Sequence, residues 1–86
     1  MAEKIKLDEP ISVDGVLIHE INLRKPKVRD LLISDRKDIA ESEREINLIA
    51  NLAEIPVEAV QDLDLSDYMK IQNWLKDFLS PPTKKK

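Results

Sequence analysis

Cysteine is absent from the 86 residues. Disulfides and thiolate metal sites are therefore excluded, and a small secreted scaffold, which depends on such staples, fits poorly. Glycine occurs once, at Gly15, so no phosphate-cradling loop can be built, because those need several glycines in register. Histidine also occurs once, at His19. A Ser–His pair would have to use it, and a lone strand histidine reads as a solvent-facing residue. The only aromatics are Tyr68, Trp74 and Phe78, all on one C-terminal stretch, so the core elsewhere has to be aliphatic. No apolar run approaches the length of a membrane span. The chain starts charged, Met-Ala-Glu-Lys-Ile-Lys, with no signal-peptide pattern. A cytoplasmic protein is the expectation.

What is present is an aliphatic, heavily charged chain. Hydrophobic residues make up 42%, enough for a globular protein, and the length suits one small domain with a marginal core. Net charge is −3 with 36% charged residues, which describes a well-solvated surface of mixed sign. General nucleic-acid binding needs a concentrated positive footprint, and the overall balance opposes it. Lys84-Lys85-Lys86 is the one basic cluster at the C-terminal end.

Residues 4–24 read as a β-hairpin. Asp14-Gly15 lies between Val13 and Val16, and a two-residue Asp-Gly loop supplies the positive φ angles of a type I′ turn. In the first arm Ile5, Leu7, Ile11 and Val13 share one parity. In the second, Val16 and Ile18 fall on one parity, Ile21 and Leu23 on the other. A bulge near His19-Glu20 would repair this, pairing Ile11 with Ile18 and Leu7 with Leu23. Pro10 lacks a donor and marks an edge strand, or a break opposite the bulge.

Pro26 ends the strand and suits a helix start, with Val28, Leu31 and Leu32 at helical spacing through about Lys37. Ser42 followed by Glu45 is a capping-box signature for a helix running to about Glu54. On that helix Ile46, Leu48, Ile49, Ala50, Leu52 and Ala53 cover more of the circumference than a surface helix needs. It should therefore be central, buried on two sides or against a partner. Pro56 opens a short turn through Val57, Ala59, Val60 and Leu63. A last helix, capped by Asp64 or Ser66, carries a stripe of Tyr68, Ile71, Leu75, Phe78 and Leu79 with Trp74 on its border. The predicted class is α+β: a two-stranded antiparallel hairpin, with a bulge in its second strand, packed on three to four helices. Residues 1–79 form the domain, and 80–86 a disordered Pro/Lys tail.

Chemistry is scarce. Asp62, Asp64 and Asp67 come closest to a cation loop, yet no glycine turns it, and Asp at helix starts is ordinary capping. Paired acids for glycoside cleavage would need a cleft that so small a fold rarely offers. No enzyme, cofactor, metal or small-molecule substrate is expected. Glu45 falls within the apolar arc of its helix; besides the capping box, an ion pair with Arg24 or Arg29 is open to it. Met69 and Trp74 lie at the edges of the last helix's stripe, where protein-binding surfaces place such residues. Tyr68, Met69, Trp74 and Phe78, with Leu48 and Leu52 of the central helix, are the candidate partner contacts.

The order of these segments resembles the tail assembly chaperones of Mu-like contractile-tailed phages and prophages. The likeness runs through Ile-Ser-Val-Asp-Gly (11–15), Ile21-Asn22-Leu23-Arg24-Lys25-Pro26, Val28-Arg29-Asp30-Leu31-Leu32, Glu43-Arg44-Glu45-Ile46, Ile55-Pro56, Leu63-Asp64-Leu65-Ser66-Asp67-Tyr68 and Phe78-Leu79. It covers roughly residues 4–79. The resemblance implies a protein that coats the tape measure protein in the infected cell and keeps it soluble until tail tube subunits polymerise. Such a chaperone is absent from the finished virion. The resemblance also implies a longer form of the same chain, made by a −1 frameshift, to which an adenine run encoding Lys84-Lys85-Lys86 would correspond; a plain basic tail is the alternative. The apolar face of residues 42–54 permits self-association, or an internal contact on the same surface. The reading from another class is a small nucleic-acid-binding regulator using Arg24, Lys25, Lys27 and Arg29, four basic residues in six positions. Asp30, Asp35 and the acidic remainder oppose it.

Overall fold

The computed structural model describes the backbone of residues 3–35 and 37–79, and every side chain within them except Leu31, Ser34, Phe78 and Leu79. The expected tail at 80–86 lies outside the described residues. Two strands, β1 (Glu3–Val13) and β2 (Val16–Leu23), form an antiparallel sheet. Four helices follow: α1 (Val28–Ser34), α2 (Glu41–Ala53), α3 (Val57–Gln61) and α4 (Leu65–Leu79). The class is α+β.

Asp14 and Gly15 both have positive φ, 52° and 80°, as a type I′ turn requires. A Cβ at Gly15 would meet nothing within 4 Å, so the backbone angle alone demands glycine there.

The hairpin is irregular, but on the opposite strand from the one expected. Val13 pairs with Val16 and Ile11 with Ile18; beyond the irregularity Lys6 pairs with Glu20, Ile5 with Ile21 and Glu3 with Leu23. Leu7 through Pro10 therefore lie opposite His19 alone, and the extra residues belong to β1. The parity argument required an odd offset and the offset is odd, so Ile11 does face Ile18. Leu23, however, faces Glu3 rather than Leu7. Pro10 explains the location: without an N–H it cannot continue the ladder, so the strand bulges where it sits.

Other helix boundaries shift in instructive ways. α1 ends at Ser34, short of Lys37, and Val28 and Leu32 are 82% and 71% exposed rather than turned to the core. α2 starts at Glu41 with Ala40 as its N-cap. The expected Ser42–Glu45 box does not form; instead the Glu43 carboxylate accepts the Ala40 N–H at 3.4 Å. The helix closes through Glu54, which adopts the left-handed conformation (φ 58°) while Ile55 N–H bonds to Ala50 C=O at 3.1 Å, a Schellman-type end. At α4, Asp64 is the cap: its carboxylate accepts the Ser66 N–H at 3.1 Å.

The core is aliphatic. Ile5, Ile11, Ile21 and Leu23 of the hairpin meet Leu48, Ile49, Ala50 and Leu52 of α2, Ala59 and Val60 of α3, and Ile71 and Leu75 of α4. α2 is central as its wide apolar arc demanded, packing against β2, α1 and α3. Its position is fixed by the backbone as well, since Arg24 N–H donates to Leu52 C=O at 3.1 Å.

Candidate functional site

Two covered carboxylates organise the polar chemistry. Asp30, 2% exposed, stands at the third position of α1. Both nitrogens of the Arg24 guanidinium donate to it, at 3.0 and 3.2 Å. The Lys27 N–H and the Asn51 amide add bonds of 2.6 and 2.7 Å. The Arg24 bonds are the largest influence on Asp30 and hold its carboxyl below the usual carboxylate range against the opposing effect of burial. Arg24 is thus committed to Asp30, and the Glu45 pairing considered for it, or for Arg29, does not form.

Asp67, at 0% exposure, is the second. Its two oxygens accept the N–H groups of Asp8 and Glu9 in the β1 bulge, at 2.9 and 3.1 Å. Lys70 lies one turn on, with its ammonium 3.1 Å from Asp67, 3.3 Å from Asp8 and 3.1 Å from the Lys6 carbonyl. Burial pushes the Asp67 pKa up, but the Asp8, Glu9 and Lys70 bonds together outweigh it and leave the carboxyl below its ordinary value. Asp67 was expected among the helix-start aspartates. It instead ties α4 to a strand nearly sixty residues earlier, which sequence separation concealed.

Glu45 has a third role. Its Oε1 accepts the Tyr68 hydroxyl at 2.5 Å and the Gln72 amide at 2.7 Å, joining α2 to α4. Burial, together with this bond to an anionic carboxylate, pushes the Tyr68 hydroxyl well above its ordinary pKa. Tyr68 is therefore a half-buried strut.

The remaining candidates separate by exposure. Leu48 and Leu52, both 1% exposed, face the protein's own core and present nothing to a partner. Trp74 is half-buried against that core. The Phe78 side chain lies outside the described residues. Met69 is 52% exposed and sits one turn after Leu65, 70% exposed. Leu65 lines a shallow apolar groove with Ile46, Val60, Leu63 and Tyr68. A second exposed pair, Val28 and Leu32, stands on α1, whose Ile33 lines another groove with Ala50, Ile55 and Val57. His19 is exposed on β2.

Among the described residues no three His, Cys, Asp or Glu side chains converge on a cation site, and no helix is long and apolar enough to cross a membrane. Of the basic junction, Arg24 is neutralised, leaving Lys25, Lys27 and Arg29 exposed.

Comparison with curated proteins and with solved structures gives no match. A model of the family described as phage tail assembly chaperone proteins, E, or 41 or 14, does match, over residues 4–80. That span takes in the hairpin with its bulge, both covered aspartates and all four helices. The chain belongs to the phage tail assembly chaperone family, and its role is in building the tail.

Proposed function

We propose that this chain is the tape measure chaperone of a Mu-like contractile-tailed phage or prophage. It binds the long tape measure protein in the host cytoplasm, keeps it soluble until tail tube subunits polymerise around it, and is left out of the finished virion. The role is one of binding, without catalysis or cofactor. The observation that carries this reading is an apolar surface left over after the core is filled. Exposed Leu65, which lines a groove, and exposed Met69 stand one turn apart on α4, the spacing at which a helix meets an amphipathic helix of another protein. Trp74, half-buried farther along α4, extends the candidate surface. Many copies along one client turn weak contacts into avidity, and a highly charged exterior keeps the complex in solution.

Co-expression provides the test. The tape measure protein should be soluble with the chaperone and insoluble without it; a client that stays insoluble beside the full-length protein and its frameshifted form sinks the proposal. Trp74→Ala should weaken the complex more than it lowers the melting temperature if Trp74 touches the client, and equal losses would place it in the core. The longer form itself depends on the gene, where lysine codons that interrupt an adenine run at 84–86 would remove the slip site.

A further inference from the structure

We infer that the outer face of α1 is a docking surface for an acidic amphipathic helix of the client, separate from the Leu65–Met69 surface on α4. The inference rests on the chaperone reading above and adds the chemistry of the segment bound. Val28 and Leu32 are 82% and 71% exposed and stand one turn apart. At about 100° per residue, Asp30 lies on the opposite side of the helix from both. It is the residue sealed inward, where the Asn51 amide of α2 donates to it. The exposure of the apolar pair therefore follows from the latch: with Asp30 fixed inward, valine and leucine point out. Ile33, the next residue in the chain, lines an open groove with Asn47, Ala50, Ile55 and Val57.

Charge names the occupant. Lys25, Lys27 and Arg29 are exposed beside the apolar pair and form no ion pair among the described residues. Two nearby acids are directed at Arg24 instead: Asp30 binds it, and Glu54, on the groove, favours its charged form. Asp35 stands beyond the end of the helix. Three unpaired cations around valine and leucine favour a helix whose apolar stripe is flanked by glutamate or aspartate, and repel a basic one. Nucleic acid would satisfy the cations but leave Val28 and Leu32 against water, so the apolar pair selects protein. The α4 surface has the converse charge. No lysine or arginine occurs from residue 45 to 69, and Glu58, Asp62 and Asp64 are exposed there, so an acidic helix is turned away from α4 and toward α1. A patch this small binds weakly, and many chaperones along one client make the contact sufficient.

Peptides tiling the tape measure protein, titrated into the purified chain and read by fluorescence anisotropy, test it. Binding should concentrate on peptides with an acidic amphipathic pattern and weaken steeply as salt screens the charges. Lys25→Glu with Arg29→Glu should weaken those peptides about tenfold or more. Replacing the glutamates of a bound peptide by lysine should restore binding to that variant and abolish it for the wild type. Val28→Gln with Leu32→Gln should weaken the same peptides, whereas Leu65→Gln should leave them bound as before. All these side chains are exposed, so melting temperatures should hardly move. Acidic peptides that bind the α1 variants as tightly as the wild type, or bound peptides that are neutral or basic, would overturn the inference and leave the chaperone reading standing. So would a chain that binds no peptide yet keeps the whole client soluble, or one that shifts a DNA duplex in a gel and binds no acidic peptide. A chain that neither binds a peptide nor keeps the client soluble would overturn both.

Discussion

Asp30 and Asp67 are both sealed from water, yet one is held by a cation close in sequence and the other by backbone from the far end of the chain. Asp30 draws its partners from Arg24 and Lys27 nearby, with one bond from Asn51, and the arrangement fastens the strand-to-helix junction onto α2. Asp67 accepts from Asp8 and Glu9, and together with Lys70, which reaches Asp8 and the Lys6 carbonyl, it attaches α4 to the hairpin. The first latch is local and charge-neutralised. The second is long-range, and stands in for the ladder bonds that the β1 bulge gives up. A bulge leaves amides without strand partners, and a buried carboxylate accepting both N–H groups is a strong way to satisfy them.

The sharpest way to break the comparison is to remove each carboxylate. Asp67→Ala removes the acceptor of two part-buried bonds, from the Asp8 and Glu9 N–H groups, and leaves Lys70 without its nearer carboxylate. At roughly 1–3 kcal/mol for each unsatisfied donor, a loss of about 3 kcal/mol is expected, a large share of the roughly 5–15 kcal/mol that holds a typical domain. Urea denaturation measures it, and hydrogen exchange should show the Asp8 and Glu9 amides losing protection first. Asp67→Asn should cost nearly as much, because its amide nitrogen donates where an acceptor is needed. If Asn is tolerated, one of the two backbone bonds contributes little.

Asp30→Ala should be milder, about 1–2 kcal/mol, because Arg24 and the Asn51 amide are side chains that can turn to solvent once released, leaving the Lys27 N–H as the one backbone donor without its acceptor. A loss equal to that of Asp67→Ala would erase the distinction between the two latches.

Acid offers a reading of both at once. Each carboxyl is held below its ordinary pKa in the folded protein, so in the acid range the unfolded chain binds more protons than the native one. Their stabilisation is present above the unfolded carboxylate value, near 4, and drains away as pH falls toward the lower folded values. Wild-type unfolding free energy should therefore decline below about pH 4. The decline should be shallower in Asp30→Asn, which no longer contributes a depressed carboxyl. An unchanged slope would mean that other acids dominate the acid transition.

The comparison also separates what the sequence could disclose from what it could not. Asp14-Gly15 was legible because two adjacent residues dictate two positive φ angles, and α2 was legible because its apolar arc exceeds any surface stripe. Asp67 was not, because a short run of Asp62, Asp64 and Asp67 before a helix reads as capping until the strand it faces is known. Ser42–Glu45 misled for a related reason: Glu41, Glu43 and Glu45 offer overlapping frames for a helix start, and the tertiary bond from Tyr68 and Gln72 claimed Glu45. Val28 and Leu32 show the same limit from the apolar side. Helical spacing reads alike whether the residues meet the core or face outward, and here Asp30 on the other side of α1 decided which face turned inward.

The smallest expected effect sharpens the local latch. Glu54 combines two features: a left-handed backbone at the end of α2, and a negative charge that favours the charged form of Arg24. Glu54→Gly removes both, whereas Glu54→Gln removes only the charge. The left-handed conformation costs a non-glycine residue about 1–2 kcal/mol, partly offset by the freer unfolded chain that glycine brings. Glu54→Gly should therefore stabilise by about 0.5 kcal/mol, with Glu54→Gln near zero. Thermal melts of the two variants side by side resolve the pair. If glutamine instead destabilises and glycine gains nothing, the Glu54 charge matters to the junction, and Arg24 is held by two carboxylates rather than by Asp30 alone.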